Sequence, residues 1–183
     1  MVLYLYVVDA KKMTYPHPLY QVLHCRLPDE IDNLQYGCYQ LIFTLNKSKD
    51  LTVGRLGKLT FLRGFYIYTG RHKNRLTKRI YRHLNPLKKI HWHVDYLTTD
   101  TDFKLCYFLI YPERLFECQL HQQIKNFCMG YERYKGFGNS DCKEGCLSHL
   151  IYFDTYSSDF FYRWVDECST KNISILIFDN SEK

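Results

Sequence analysis

Eight cationic side chains, Arg71, Lys73, Arg75, Lys78, Arg79, Arg82, Lys88 and Lys89, are concentrated in one short stretch near the middle of the chain. No Asp or Glu occurs anywhere from Leu51 to Val94, a run of 44 residues that holds 11 of the 25 Lys and Arg. A helix that merely keeps a face wet usually intersperses Glu with Lys and gains i,i+4 pairs. That gain is forgone here. A field of one sign in one place attracts a polyanion and speeds its encounter, and nucleic acid is the commonest such ligand. The second group of chemical interest is Glu117. It lies beside the apolar stripe Phe116, Leu120, Ile124 and Phe127, which places its carboxylate at the edge of a core rather than in open solvent.

Strands and helices must position these groups. Residues 64–70, GFYIYTG, alternate in the manner of a largely buried strand, and from Asn74 the apolar residues Leu76, Ile80 and Leu84 fall four apart, as on a helix. Arg75, Arg79, Arg82 and His83 then occupy the flank of that helix. Gly37 to Leu45 reads as an earlier strand, joined to the one at Phe65 by a hairpin around Gly54 and Gly57, and Asp102 to Tyr111 as a later strand. A helix is expected over Glu113 to Cys128, then a glycine-rich loop, KGFGNSDCKEGC, and a strand in SHLIYFD. At the ends, VLYLYVV reads as a strand, Leu19 to Leu27 as a short helix, the region from Ser158 as a helix, and ISILIF as a last strand able to pair with the first.

These elements describe an α+β chain with a small, mostly antiparallel sheet flanked by helices. The main domain is expected at 36–155, with an N-terminal extension at 1–35 and a C-terminal helix–strand extension at 156–183. At 183 residues and 46% hydrophobic the chain suffices for one packed domain. Its charge of +6 is modest, so the distribution carries more information than the sum. The 17 Tyr and 12 Phe suit packed sheets and also supply rings that stack on bases. The apolar start meets Asp9 and Lys11 too early for a signal peptide or a membrane span, and the eight Cys sit mostly in apolar runs, as reduced thiols do. A cytoplasmic protein without a membrane partner is expected.

In order along the chain stand Gly37-Cys38-Tyr39, a hairpin, Gly64 to Gly70 with Tyr68-Thr69-Gly70, Arg79 to His83, HWHVDYL from His91 to Leu97, Glu117, GFGNSDC from Gly136 to Cys142, and Ser148-His149-Leu150. This pattern resembles the GIY-YIG nuclease superfamily, and within it a small prokaryotic branch similar to a domain attached to some endonuclease III proteins. The resemblance covers about residues 36–155. It implies a metal-dependent endonuclease that hydrolyses DNA phosphodiester bonds, with DNA repair or processing as the expected setting. By the resemblance Tyr39 and Tyr68 face the site and orient a water or act as base. Arg79 and His83 meet the phosphate, and Glu117 holds one divalent ion, Mg²⁺ with Mn²⁺ as the alternative. Arg71, Lys73, Arg75, Lys78, Arg82, Lys88 and Lys89 are the expected nucleic-acid contacts.

Elementary chemistry agrees with those roles. Phosphodiester hydrolysis needs an activated water, neutralisation of charge on the phosphoryl oxygens, and help for the leaving oxygen. One carboxylate suffices for a hard ion whose other positions go to water and phosphate, and a guanidinium offers fixed donors to nonbridging oxygens. With an ordinary pKa of about 10, a tyrosine base needs assistance. Two metal readings are set aside: one of the His91–Asp95 stretch, where the resemblance implies that Trp92 anchors the basic helix, and a structural zinc on Cys142, Cys146 and His149, which supply only three ligands. Ser140 and Asp141 are expected to cap a loop closing one side of the site. The chain departs from the family pattern at Cys38, at Thr69 and at Arg71-His72, where small residues are usual. That last change leaves open a nucleic-acid-binding module that does not cut. A third reading is an interaction role for the aromatic termini.

Overall fold

The computed structural model describes residues 4–8, 23–24, 34–154, 160–170 and 175–179. Nine strands are described: β1 (Tyr4–Val8), β2 (Leu23–His24), β3 (Gly37–Leu45), β4 (Lys49–Thr52), β5 (Lys58–Phe61), β6 (Gly64–His72), β7 (Phe103–Pro112), β8 (Leu150–Phe153) and β9 (Ile175–Asp179). Four helices accompany them: α1 (Leu76–Leu84), α2 (His93–Thr99), α3 (Glu117–Phe127) and α4 (Phe160–Thr170). Seven strands form one sheet in the order β2-β1-β9-β7-β3-β6-β8, and β4 and β5 form a separate hairpin. Every described strand pairing is antiparallel. The chain is thus α+β, as the alternation of its residues predicts.

Strand periodicity divides the core in two. On β3, Tyr39, Leu41, Phe43 and Leu45 point to one face and join Tyr66 and Tyr68 of β6, Leu76 and Ile80 of α1, and Val94 and Leu97 of α2. Cys38 and Ile42 point to the other, with Ile67, Leu109, Leu120 and Ile124 of α3, and Phe160, Trp164 and Cys168 of α4. Both faces of the central strands are therefore covered. Polar side chains between them are satisfied in series: Trp164 Nε1 donates to Tyr111 Oη at 2.9 Å, Tyr111 to Gln40 Oε1 at 2.7 Å, and Gln40 Nε2 to Thr69 Oγ1 at 3.3 Å.

Helix starts differ slightly from the periodicity, for reasons visible in the backbone. α1 begins at Leu76 rather than Asn74, because Arg75 adopts left-handed φ 60, and the first helical N–H groups are taken by the carbonyls of Gln35 (3.0 Å) and Leu34 (3.3 Å). α3 begins at Glu117 rather than Glu113, which has φ 58 just after Pro112. Glu117 is consequently in the first turn, where a negative side chain is electrostatically favoured. Leu23–His24 pairs as strand with β1, within the stretch expected to be helical; the remainder of residues 19–27 lies outside the described residues. The expected pairing of the last strand with the first is present, and β9 also pairs with β7, so the terminal elements extend the same sheet.

Candidate functional site

At the end of the sheet where β3 begins and β6 and β7 finish, a cleft of about 260 Å³ is lined by Tyr39, Tyr68, Arg71, Arg79, His91, Trp92, His93, Glu117, Gly138, Ser140 and Asp141. The central sheet supplies the two tyrosines. Gly70 lies directly across from Tyr39 in the β3–β6 ladder, and a Cβ there would stand 2.5 Å from the Tyr39 ring. Gly138, at φ 71 in the loop, makes the same allowance for Tyr68, again at 2.5 Å. The glycines spaced through these motifs let the rings stand close, with centroids 6.2 Å apart. Burial pushes both phenols well above their ordinary range.

His83 does not reach the cleft. It is 2% exposed and lies one layer behind, its Nε2 3.0 Å from Tyr39 Oη. The expectation that it meets the phosphate is thereby corrected: one turn after Arg79, the helix carries it inward beneath Tyr39 rather than along the open edge. Burial, then the nearby Lys88 and Arg79 charges, lower its pKa to about 3. It is therefore a neutral imidazole that shares one hydrogen bond with the Tyr39 hydroxyl.

Arg79 lies over the Trp92 ring, 3.6 Å from the centroid, with Nη2 3.4 Å from His72 Nδ1. Its guanidinium is thus held flat along the cleft wall by the residue just ahead of α2. Arg82 also faces Trp92, donates to Asp95 Oδ2 at 2.5 Å, and donates to the Lys89 carbonyl at 2.7 Å. Lys88 donates to the carbonyl of Arg82 at 2.9 Å and stands 3.7 Å from Asp95, its side chain only 4% exposed. Arg82 and Lys88 are therefore engaged in joining α1 to α2 through the fully buried Asp95, which also accepts the His91 and Trp92 N–H groups. Lys73, Arg75, Lys78 and Lys89 remain exposed. The HWHVD stretch braces the basic helix, and His93 Nδ1 accepts the Gly138 N–H at 3.1 Å.

Glu117 is 7% exposed, and both oxygens face partners. Oε2 is 3.0 Å from Arg71 Nε, and Oε1 is 3.4 Å from His149 Nδ1. Arg71 also reaches Asp141 Oδ2 at 3.5 Å, so the departure at Arg71 fills the space beside Glu117 with a cation. An ion held by this carboxylate would have to displace Arg71, which has a second carboxylate, Asp141, within 3.5 Å. Ser140 and Asp141 close one side of the cleft as expected.

The unforeseen feature lies behind Glu117. Cys118, Cys142, Cys146 and His149 present ligand atoms that all lie within 4.8 Å of one another, a set able to hold a metal ion. The sequence spacing supplied three donors, one short of a closed zinc site; the fold adds Cys118 from α3. That donor is 24 residues from Cys142, so no local motif announces it. Among the described residues no cysteine is disulfide-bonded, and no helix is long and apolar enough to cross a membrane.

No curated protein and no solved structure is significantly similar to the chain. A family profile described as domain of unknown function DUF123 matches residues 38–169, from β3 through nearly all of α4. That match spans well over half of the chain, which therefore belongs to the DUF123 family.

Proposed function

We propose that the chain is an endonuclease that hydrolyses DNA phosphodiester bonds with a divalent ion, in keeping with its resemblance to GIY-YIG nucleases. The observation that supports this best is the convergence of Tyr39, Tyr68, Arg79 and Glu117 on one open cleft, in a chain whose basic stretch leaves four further cations exposed. Separately each residue has an ordinary structural use. Together they match the needs of phosphoryl transfer: fixed donors for nonbridging oxygens, a carboxylate, and a paired hydroxyl for a water.

Arg79, preoriented on Trp92, donates to a nonbridging oxygen. Arg71 leaves Glu117 for Asp141 or for the same phosphate as the strand enters. Glu117 would hold the ion, Mg²⁺ or Mn²⁺, which supplies charge neutralisation at the phosphoryl and leaving oxygens. Tyr39, hydrogen-bonded to His83 Nε2 behind it, orients the attacking water, whose proton would pass to solvent once the ion has lowered its pKa. The water oxygen bonds to phosphorus as the bond to the leaving oxygen breaks, and solvent protonates the leaving group.

One observation favours a second reading. Arg71 is paired with the carboxylate that the ion would use, at 3.0 Å. A nucleic-acid-binding module that does not cut would retain that pair. The test is cleavage of plasmid, single-stranded, flap and four-way-junction DNA with Mg²⁺, Mn²⁺ or chelator. Metal-dependent cutting that falls by about 10²-fold or more in Arg79→Ala and Glu117→Gln, with thermal melting intact, is the expected outcome. Salt-dependent binding with no cutting of any substrate by the wild type establishes the second reading instead.

A further inference from the structure

Three thiols and an imidazole converge from parts of the chain that packing alone would not need to join. Cys118 is the second residue of α3, Cys142 and Cys146 bracket a turn in the loop, and His149 directly precedes β8. Cys118 Sγ is 3.5 Å from Cys142 Sγ and 3.7 Å from His149 Nε2. Zinc bonded tetrahedrally to thiolate sulfur at about 2.3 Å and to imidazole at about 2.0 Å separates its ligand atoms by roughly 3.5–3.8 Å. Those two separations fall in that range, and all four ligand atoms lie within 4.8 Å of one another.

The surroundings fit thiolates as well. Gly145, at φ 75, allows the tight turn that returns Cys146 toward Cys142. The backbone N–H groups of Cys146 and Glu144 donate to the Cys142 sulfur, and Gln122 Nε2 is 3.7 Å from the Cys146 sulfur. Asn139 Nδ2 donates to the Cys146 carbonyl at 2.6 Å and steadies the turn. Behind His149, the nitrogen away from the cluster faces Glu117 Oε1 at 3.4 Å, the position in which a carboxylate orients a zinc-bound imidazole.

We propose that Cys118, Cys142, Cys146 and His149 bind one zinc ion, with His149 coordinating through Nε2. Four protein ligands close the coordination sphere, so the ion is structural. It ties the loop carrying Ser140 and Asp141 to the first turn of α3, and through His149 it orients Glu117. The zinc assignment stands apart from the nuclease reading. The orientation of Glu117 links the two.

The experiment measures metal without nucleic acid. Full-length protein grown with zinc and dialysed without chelator is examined by elemental analysis and native mass spectrometry, alongside Cys146→Ser, Cys118→Ala and the control Cys106→Ser on β7. One zinc per chain in the wild type and Cys106→Ser, and loss of the metal in the two ligand variants, is expected. Should those variants fail to fold, the wild type decides by itself: Co²⁺ exchanged into it gives the intense thiolate charge-transfer and tetrahedral d–d bands of a three-thiolate site. Wild-type protein without zinc, zinc undiminished in Cys146→Ser, a Cys118–Cys142 disulfide in the native mass, or an octahedral Co²⁺ spectrum each overturns the proposal. A nuclease-inactive protein that holds zinc in this way leaves the site standing and overturns the proposed function alone.

Discussion

Tyr39 and His83 show how one residue's environment sets the behaviour of another. A buried imidazole faces Tyr39 at 3.0 Å and is surrounded by Lys88, Arg79 and Arg82, with Asp95 the one opposing charge. Its folded pKa of about 3 lies below the ordinary 6.5, so the unfolded chain binds the extra proton first. Stability from this group is complete above about pH 6.5 and declines as pH falls toward 3. A shift of that size corresponds to a loss on the order of 3 kcal/mol at pH 4. Asp95, whose pKa is lowered although burial alone would raise it, adds acid lability only below the ordinary carboxylate range. Urea melts between pH 7 and 4.5 therefore separate the two. We expect His83→Gln to reduce the pH dependence in that window, leaving the part due to His121, which burial also lowers, to about 4, and an unchanged slope would show that His83 is not a source of it. The inward position of His83 was not legible from its spacing to Arg79, because i and i+4 share a face without revealing how the helix is tilted on the sheet.

At the scale of elements, α1 and α2 form a unit in which cations have two different uses. Arg82 and Lys88 are consumed internally, at Asp95 and at the carbonyls that end α1, whereas Lys78 and Arg75 face solvent. Counterion release depends only on charges that reach phosphates. Lys78→Ala is expected to weaken DNA binding and lower the slope of log affinity against log salt by about 1. Lys88→Ala leaves that slope unchanged and instead destabilises the fold by about 1–3 kcal/mol, through the lost carbonyl and Asp95 partners. Equal slope changes in the two variants would show that Lys88 leaves its buried position to bind DNA. Sequence alone placed all eight cations on one stretch, correctly as to charge. It had no means of ranking them, since exposure depends on what α2 and Asp95 bring against the helix.

Across the whole molecule, the terminal elements are part of the sheet rather than appendages to it. β9 lies between β1 and β7, and α4 lays Phe160, Trp164 and Cys168 on the second core. Trp164 also begins the buried hydrogen-bond series through Tyr111, Gln40 and Thr69. Removing residues 155–183 strips one neighbour from β7 and leaves Tyr111 without its indole donor. We expect the truncated chain to lose its cooperative thermal transition and to aggregate on size exclusion; a monomer melting within a few degrees of the full chain would show that the extension is dispensable. By itself the sequence determined the strands and helices of the central region, the acid-free cationic stretch, and the glycines that flank the cleft tyrosines. Those are properties of neighbouring residues, carried by periodicity, charge and φ. Only the tertiary structure decided that Arg71 pairs with Glu117, that His83 supports Tyr39 from behind, and that Cys118 completes a four-ligand set with Cys142, Cys146 and His149. Each of these joins residues on different elements or through helix tilt, and such distances follow from how the layers pack, not from spacing along the chain.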